Sequence, residues 1–206
     1  MFFNSGSLID GEALNRLADG YADKIAELMK SRQLEDFDFI FGPAYKGIPL
    51  GALTAEALFR RHKLNKKFLY DRKEAKTHGD VKADALIVGA DQFVSGSKIL
   101  MIDDVITNGA SKLEAYEKLK ALGAFTLVGV LVAVDRQECA GDAQKALPTS
   151  AAQEIQNQLG CPLFAIASMG ELYAALAPTL APAQASIWKA YFKKWGNEAA
   201  KKWAAK

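Results

Sequence analysis

The segment DDVITNGAS, residues 103–111, holds residue types that together could bind a phosphate and a sugar. Small and hydroxyl-bearing residues stand where a turn would open a helix, and backbone amides at a helix N-terminus bind anions. The hydroxyls of Thr107 and Ser111 add two donors. Two carboxylates beside a phosphate would repel it unless they accept hydroxyl protons or face a divalent cation. Asp103 and Asp104 therefore favour a sugar diol, Mg²⁺ or both, and the alternative is that they only end a strand and cap a turn.

Other common nucleotide and hydrolase motifs are missing from the sequence. Gly42 and Gly47 have the outer spacing of a Walker A loop, but Ile48 and Pro49 replace the required Lys and Ser or Thr. No GxGxxG, HExxH, CxxC or GxSxG motif occurs, and the chain has only 2 histidines. The sequence therefore argues against nucleoside triphosphatases, dinucleotide enzymes, zinc hydrolases and Ser-His-Asp catalysis.

The elements that must position these residues alternate between helix and strand. Apolar residues at three- and four-residue steps predict a helix from Asp10 to Lys30, with Asp10 as its N-cap. Further predicted strands are 37–41, 67–70, 98–102, 126–134 and 162–167, and further predicted helices are 48–62, 111–122 and 151–159. Nearly all-apolar strands such as KILMI are typical of strands covered on both faces. The alternation predicts one α/β domain with a doubly wound, mainly parallel sheet and helices on both faces, and ligands bind beyond the carboxyl ends of such strands.

Composition and charge limit the function classes further. A length of 206 residues favours one domain, and a net charge of +2 leaves attraction to polyanions to local clusters, which disfavours a nucleic-acid coat protein. Cys139 and Cys161 are too few for a disulfide scaffold and lack metal-ligand spacing, which favours a reducing cytoplasm. The N-terminus lacks the basic and apolar regions of a signal peptide, and no apolar run approaches about 18 residues, so secretion and membrane spanning are disfavoured.

The segment LMIDDVITNGAS resembles the ribose-phosphate signature of the type I phosphoribosyltransferases. Four further motifs, spread over the first 140 residues, are similar to those of the orotate phosphoribosyltransferase family: FFN at 2–4, FGPAYKGIP at 41–49, DRKEAKTHG at 71–79 and DRQE at 135–138. The resemblance implies the type I phosphoribosyltransferase fold with a long mobile catalytic loop, an excursion over residues 71–97. It implies transfer of the phosphoribosyl group from 5-phosphoribosyl 1-pyrophosphate to orotate in pyrimidine biosynthesis, giving orotidine 5′-monophosphate and pyrophosphate. It also implies Mg²⁺ as cofactor and a homodimer with the loop contributed across the interface.

The same resemblance assigns roles to the two polar loops. Breaking the bond between the anomeric carbon and pyrophosphate puts negative charge on the leaving group, so cations must meet it. Lys76 is the implied catalytic cation, with Arg72, Lys73 and His78 beside it, and the alternative is a solvated charged loop. Asp103 and Asp104 are implied catalytic residues, with Mg²⁺ carried by the sugar diphosphate and not ligated directly by the protein. The other implied substrate-binding residues of this loop are Val105, Ile106, Thr107, Asn108, Gly109, Ala110 and Ser111.

Further substrate contacts are implied outside these two loops. Tyr45 and Lys46 resemble the pyrophosphate-contacting pair of the family, with an ordinary strand-to-helix turn as the alternative. Arg136 resembles the orotate ligand, because its planar fork can hold a carboxylate or a pyrimidine carbonyl, with a surface ion pair as the alternative. Phe2 and Phe3 would stack on the pyrimidine, and the alternative is that they anchor the core.

The sequence departs from the family pattern at two places. The family usually has Thr where this chain has Ala110, and the hydroxyl appears one position later as Ser111, so we expect one side-chain donor to be lost or moved. The family also usually has a Lys in a segment before FFN, whereas this chain begins at Met1. We therefore expect either that this contact is absent or that the sequence is shorter than the native one.

Two other functions remain open on the sequence. A purine-base phosphoribosyltransferase would share residues 103–111, but it has no evident use for Arg136 as a carboxylate clamp. A non-catalytic module that senses sugar phosphates would keep the site without turnover, and Lys76 together with the paired acids argues against it.

The C-terminal stretch 184–206 combines lysines with aromatic residues at helical spacing. A basic amphipathic helix of this kind can bind a membrane surface. We expect this helix instead to pack on the body of the protein or on a partner subunit, without stable membrane association, because its apolar stripe has the period of a core-facing helix.

Overall fold

Helices and strands alternate along the chain in the computed structural model, which describes residues 4–72, 86–106, 109–141 and 146–205. The helices are α1 (Gly11–Lys30), α2 (Gly47–His62), α3 (Ala110–Lys120), α4 (Ala151–Leu159), α5 (Met169–Leu176), α6 (Pro182–Trp195) and α7 (Glu198–Ala204). The strands are β1 (Phe39–Gly42), β2 (Lys67–Asp71), β3 (Ile87–Val88), β4 (Ser97–Val105), β5 (Phe125–Asp135), β6 (Cys139–Gly141), β7 (Ala146–Ser150) and β8 (Leu163–Ser168). Short 3₁₀ helices lie at Ser5–Ser7, Ala90–Gln92 and Ala177–Thr179.

Six strands form the central sheet in the order β3-β2-β1-β4-β5-β8. Neighbouring strands run parallel except for β2 and β3, and β6 pairs with β7 in a separate antiparallel hairpin. In the sheet register Phe41 lies opposite Met101, and Val105 lies opposite Val134. The carboxyl ends of β1, β4 and β5 therefore meet at one edge of the sheet. The predicted fold class, a doubly wound and mainly parallel sheet, is confirmed.

Helices cover both faces of the sheet, as the nearly all-apolar strands predict. Leu100 and Ile102 of β4 point into a cluster with α1, α2, α6 and α7, whereas Ile99 and Met101 point into a second cluster with α3 and α4. All four side chains are fully buried. Because both faces of the sheet are covered, successive residues of a central strand are all shielded from water. Polar residues are therefore favoured where a strand ends.

The predicted helix that follows Asp10 is confirmed as α1. The Asp10 carboxylate accepts a hydrogen bond from the amide of Ala13 at 2.8 Å and so caps the helix. Tyr21, Ile25 and Leu28, at three- and four-residue steps, are buried against the sheet. The predicted strands, and the predicted helices up to residue 159, also occur, with boundaries that lie within three residues of the predicted ones. The single helix predicted over 184–206 is wrong, because the chain forms two helices there.

Three elements occur that were not predicted from the sequence. Strand β3 belongs to the predicted excursion 71–97 but pairs with Tyr70 and Asp71 at the sheet edge, and two residues are too few to show a period. The hairpin β6–β7 pairs Cys139 with Ser150 and Gly141 with Ala146. Helix α5 did leave a local signal, since Ser168 and Glu171 form a capping box in which each side chain bonds the backbone amide of the other.

The C-terminal stripe forms two helices, α6 and α7, which meet at Gly196. A side chain on Gly196 would collide with the carbonyl oxygen of Phe192, and Asn197 caps the start of α7. Phe192, Ala200 and Ala204 are fully buried in the cluster that contains α1, so this stripe packs on the body of the protein. Within the described ranges, no helix is both long enough and apolar enough to cross a membrane.

Candidate functional site

Two loops of predicted site residues lie side by side at the carboxyl edge of the sheet. The first loop, residues 43–46, follows β1, and the second loop, residues 106–109, follows β4. Because β1 and β4 are adjacent parallel strands, about 4.8 Å apart, the loops that leave them face the same space. Thr107 and Asn108 of the second loop lie outside the described residues.

Glycines allow the first loop to close tightly against the sheet. A side chain on Gly42 would collide with the carbonyl oxygen of Gly47, and a Cβ on Gly47 would lie 2.9 Å from the carbonyl oxygen of Ile102. The peptide bond between Ala44 and Tyr45 is cis. The Tyr45 side chain is exposed and Lys46 is more than half exposed, so both predicted contact residues are accessible from the site.

Asp104, near the carboxyl end of β4, binds the first loop. Its Oδ2 atom accepts hydrogen bonds from Lys46 Nζ at 2.9 Å and from the Ser5 hydroxyl at 2.7 Å. The Asp104 side chain is 7% exposed, whereas that of Lys46 is 55% exposed. Burial acts to raise the pKa of Asp104, but the hydrogen bonds from Lys46 and Ser5 outweigh burial and hold the pKa below its ordinary value. The carboxylate is therefore ionised at neutral pH and can accept hydroxyl protons.

Asp103 has a different environment from Asp104. Its Oδ2 atom accepts a hydrogen bond from Lys112 Nζ at 2.6 Å, and Lys112 also donates to the carbonyl oxygen of Val105 at 2.9 Å. The side chains of Lys112 and Asp103 are 3% and 11% exposed, so this is a buried ion pair. The Tyr21 hydroxyl donates to the Asp103 carbonyl at 2.7 Å, and burial first, then the two nearby carboxylates, raise the pKa of Tyr21 well above its ordinary value. Lys112 of α3 thus holds the Asp103 side chain in the interior, whereas the Asp104 side chain faces Lys46 of the first loop.

Lys112 is not among the site residues predicted from the sequence, although its position carries a signal. Lys112 lies on the buried stripe of α3 with Ala115 and Leu119, at steps of three and four residues. A lysine on such a stripe must find an anion, since burying an unpaired ammonium is costly. An acid pair nine residues earlier in the chain, at the end of the preceding strand, is the natural partner.

The second loop leads into the amide end of α3. Gly109 has a left-handed backbone, with φ of +73°, and a side chain there would collide with Ile155. Ala110 and Ser111 form the first turn of α3, whose amides point toward the edge of the sheet. Ile106 is buried in the core, and Val105 continues strand β4, so these two contribute through their backbone. This arrangement suits an anion at the start of α3.

Asp71 is the first residue of the DRKEAKTHG segment, and its side chain binds the first loop and α3. Its carboxylate accepts a hydrogen bond from the Ala44 amide at 2.6 Å and one from Lys118 Nζ at 2.9 Å, and Lys118 also bonds the Arg72 carbonyl at 3.1 Å. The Asp71 side chain is buried. Lys73, Lys76 and His78 lie outside the described residues, as do Phe2 and Phe3.

Arg136 lies just beyond β5, beside the second loop. Its Nη2 atom lies 2.7 Å from Glu138 Oε1, and both side chains are mostly buried. Asp135, the last residue of β5, accepts a hydrogen bond from the Gln137 amide, and burial first, then the charge of Glu138, raises the pKa of Asp135. Arg136 therefore forms an ion pair, as the predicted alternative states. The pair is not on the surface, because the Arg136 side chain is only 13% exposed, and it lies at the carboxyl edge of the sheet.

The acids of this site that could face a metal ion are Asp103 and Asp104. Among the described residues, no group of three or more His, Cys, Asp and Glu side chains is arranged to hold a metal ion. Asp103 and Asp104 each accept a lysine hydrogen bond, so each carboxylate already has a cationic neighbour.

Comparison with known proteins identifies this arrangement. Residues 13–164 match the family model of the phosphoribosyl transferase domain. The chain is 45% identical over 195 residues to an orotate phosphoribosyltransferase of Acinetobacter baumannii, which covers 95% of the chain and 82% of that relative. It is 41% identical over 175 residues to an orotate phosphoribosyltransferase of Bifidobacterium adolescentis, which covers 84% of the chain and 72% of that relative.

The solved structures agree with the sequence relatives. The crystal structure of orotate phosphoribosyltransferase from Francisella tularensis has a TM-score of 0.73 and 32% identity, covering 95% of this chain and 83% of that one. A neighbour from Saccharomyces cerevisiae, an adenine phosphoribosyltransferase, has a TM-score of 0.51 at 19% identity and so shares the fold alone. With two loops and a helix N-terminus meeting at the carboxyl edge of its sheet, the chain belongs to the phosphoribosyltransferase family and, within it, to the orotate phosphoribosyltransferases.

Proposed function

We propose that this chain transfers the phosphoribosyl group from 5-phosphoribosyl 1-pyrophosphate to orotate, giving orotidine 5′-monophosphate and pyrophosphate. The observation that carries the proposal is the 2.9 Å contact between Lys46 and Asp104, which joins the loop after β1 to the carboxyl end of β4. It places a cation for a diphosphate beside a carboxylate for a sugar diol. The identity of 45% to a relative of that name, over 95% of the chain, supports the same reaction.

The proposed reaction breaks the bond between the anomeric carbon and the pyrophosphate oxygen and forms a bond from that carbon to a ring nitrogen of orotate, which loses its proton to water. Negative charge grows on the departing pyrophosphate while positive charge grows on the ribose. Preorganised cations and amides that face the growing negative charge lower the barrier. Lys46 serves this role from the first loop, and the 5-phosphate lies at the amide end of α3.

Asp104 binds the ribose hydroxyls in this proposal. Its carboxylate is held ionised by Lys46 and Ser5, so it can accept protons from a diol without first losing one of its own. Asp103 acts indirectly in this proposal. Its carboxylate is paired with Lys112, and its backbone forms part of the end of β4. Lys76, which lies outside the described residues, is the proposed cation at the transition state, with Arg72, Lys73 and His78 beside it.

Arg136 is the proposed partner of the orotate carboxylate. A planar guanidinium can form two parallel hydrogen bonds with a carboxylate, and the exclusion of water around the mostly buried Arg136 strengthens these hydrogen bonds. Phe2 and Phe3 remain the proposed stacking partners for the pyrimidine ring.

Mg²⁺ fits this site as an ion that arrives with the diphosphate. Asp103 and Asp104 are the carboxylates nearest the proposed ribose position, and both already accept hydrogen bonds from lysines. They therefore suit contact with the water shell of Mg²⁺ better than direct ligation. When bound, Mg²⁺ would neutralise charge on the diphosphate oxygens.

We also infer a homodimer, with the loop of residues 71–97 reaching toward the site of the other subunit, and a cytoplasmic location. The family resemblance supports the first inference. Two free cysteines, Cys139 and Cys161, support the second, because disulfides are rare in a reducing compartment. Sedimentation velocity of the full chain tests the oligomeric state.

Pyrophosphate release from 5-phosphoribosyl 1-pyrophosphate with Mg²⁺ tests the proposed reaction. We expect release with orotate and none with adenine, hypoxanthine or guanine. Lys46→Met should lower the rate about tenfold or more, since a hydrogen bond to a charged group contributes about 1.5–3 kcal/mol. The matched control is Lys24→Met, which removes an α1 lysine paired with Glu27. Release with a purine alone would assign the purine reaction, and binding without release would assign a sensing module.

A further inference from the structure

The C-terminal helices hold the segment that carries Arg136. This segment, residues 136–139, follows β5 and makes an isolated antiparallel bridge between Glu138 and Gly196. The hydrogen bonds that join the two parts are Asn197 amide to Gln137 carbonyl at 2.8 Å, Trp203 Nε1 to Gln137 Oε1 at 3.2 Å, Cys139 Sγ to Gly196 carbonyl at 3.2 Å and Tyr191 hydroxyl to Glu138 Oε1 at 2.8 Å. The position of the segment therefore depends on α6 and α7 as well as on the sheet.

Backbone geometry explains why the segment needs this support. Gln137 has a left-handed backbone, with φ of +53°, which is unfavourable for a residue with a side chain. Its side-chain oxygen accepts two hydrogen bonds, from Trp203 of α7 and from the amide of Gly170 at 2.8 Å. These contacts hold Gln137 in a conformation that directs its neighbours, Arg136 and Glu138, to the same side.

The Glu138 carboxylate links helix α6 to Arg136, and the Tyr191 hydroxyl also interacts with the Arg136 side chain. Glu138 Oε1 lies 2.7 Å from Arg136 Nη2 and accepts the Tyr191 hydroxyl at 2.8 Å. The side chains of Arg136 and Glu138 are 13% and 17% exposed, so water screens the pair weakly. Glu138 binds one nitrogen of the rigid, planar guanidinium group of Arg136. It therefore fixes the plane in which that group lies.

We propose that Glu138 and Tyr191 are positioning residues that orient Arg136 toward the carboxylate of the base substrate. Helix α6 then determines how well the site recognises an acidic pyrimidine, although none of the proposed substrate contacts lies on it. This inference rests on the proposed function. It gives a role to the C-terminal stripe beyond packing on the body.

Tyr191→Phe is the main test, because it removes the hydroxyl and keeps the ring that packs edge-on against Phe192. We expect the KM for orotate to rise about five- to tenfold, with the KM for 5-phosphoribosyl 1-pyrophosphate and kcat within about twofold of wild type. A purely structural role would change both KM values and the melting temperature together. The matched control is Tyr116→Phe, whose ring packs on Phe125 at the opposite end of β5.

A double-mutant cycle with Glu138→Gln tests whether Tyr191 acts through Glu138. We expect Glu138→Gln to raise the KM for orotate at least as much as Tyr191→Phe, and the second change to add nothing in the Glu138→Gln background. Additive effects, or an unchanged KM for orotate in Tyr191→Phe while the wild type uses orotate, would overturn this inference alone. A wild-type chain with no orotate-dependent release of pyrophosphate would overturn the proposed function, and this inference with it.

Discussion

Replacing each of the two adjacent acids by asparagine should have opposite consequences for stability and for activity. Asp103→Asn and Asp104→Asn make the same chemical change one residue apart at the end of β4. Asp103 pairs with Lys112, whose side chain is 3% exposed, whereas Asp104 pairs with Lys46, whose side chain is 55% exposed. Only the first substitution leaves a buried ammonium without its anion, since Lys46 can turn into water.

The expected magnitudes follow from that difference. Removing one partner of a buried ion pair costs about 3–5 kcal/mol, and for a domain of this size about 1 kcal/mol lowers the melting temperature by roughly 2–4 °C. Asp103→Asn should therefore lower the melting temperature by roughly 6–20 °C. A pair with a largely exposed partner contributes about 0–1 kcal/mol, so Asp104→Asn should shift it by less than about 4 °C. Asp104→Asn should instead reduce kcat/KM for 5-phosphoribosyl 1-pyrophosphate by about ten- to a hundredfold, because a charged acceptor of hydroxyl protons is lost.

Urea unfolding at one fixed ionic strength and steady-state kinetics measure the two effects on the same preparations. Lys112→Met combined with Asp103→Asn provides the control, since it removes both charges and leaves no buried ion without its partner. The double variant should recover most of the free energy of unfolding that Asp103→Asn loses. Equal losses of stability in Asp103→Asn and Asp104→Asn, or no recovery in the double variant, would refute the assignment of different roles to the two acids.

Three further outcomes test the rest of the site and the core. Lys76→Ala should lower single-turnover rates at least about a hundredfold with smaller changes in substrate binding, and a rate within a few-fold of wild type would make this loop a solvated one. Burial raises the pKa of Asp135, so the contribution of the protonated Asp135 side chain to stability is present below the ordinary pKa and is lost as pH rises through the raised pKa. The Asp135→Asn variant should therefore have a higher melting temperature than wild type at pH 7, and this difference should shrink in acid. Burial also raises the pKa of the Cys161 thiol to about 11, so iodoacetamide at pH 8 should label Cys139 first, as peptide mass spectrometry would show.

The framework of the site could be predicted because it depends on local patterns. The run from Ile99 to Ile102 is apolar at every position, which is typical of a strand buried on both faces, and the structure buries all four side chains. Asp103 and Asp104 follow directly, so their place at the carboxyl edge of a parallel sheet follows from the strand itself. The lengths and order of the main elements were accessible in the same way.

Other contacts that hold the site, unlike that between Lys112 and Asp103, could not be predicted, because they join residues far apart in the chain. Ser5 and Asp104 are separated by 99 positions, and Tyr191 and Glu138 by 53. Neither contact leaves a period or a spacing in the sequence. Strand β3 is hidden for the same reason, since its two residues form a strand only through pairing with the end of β2.

Helix α3 shows how such contacts determine the shape of the site. Lys112 at its start fixes Asp103 at the end of β4, and Lys118 near its end fixes Asp71 at the end of β2. These two strands flank β1, and Asp71 also accepts the amide of Ala44 in the first loop. One helix thus holds both sides of the strand that carries the first loop, through two ion pairs shielded from water. Lysine is an ordinary helix former at either position, but the anion that each one meets makes other helix formers poor substitutes there.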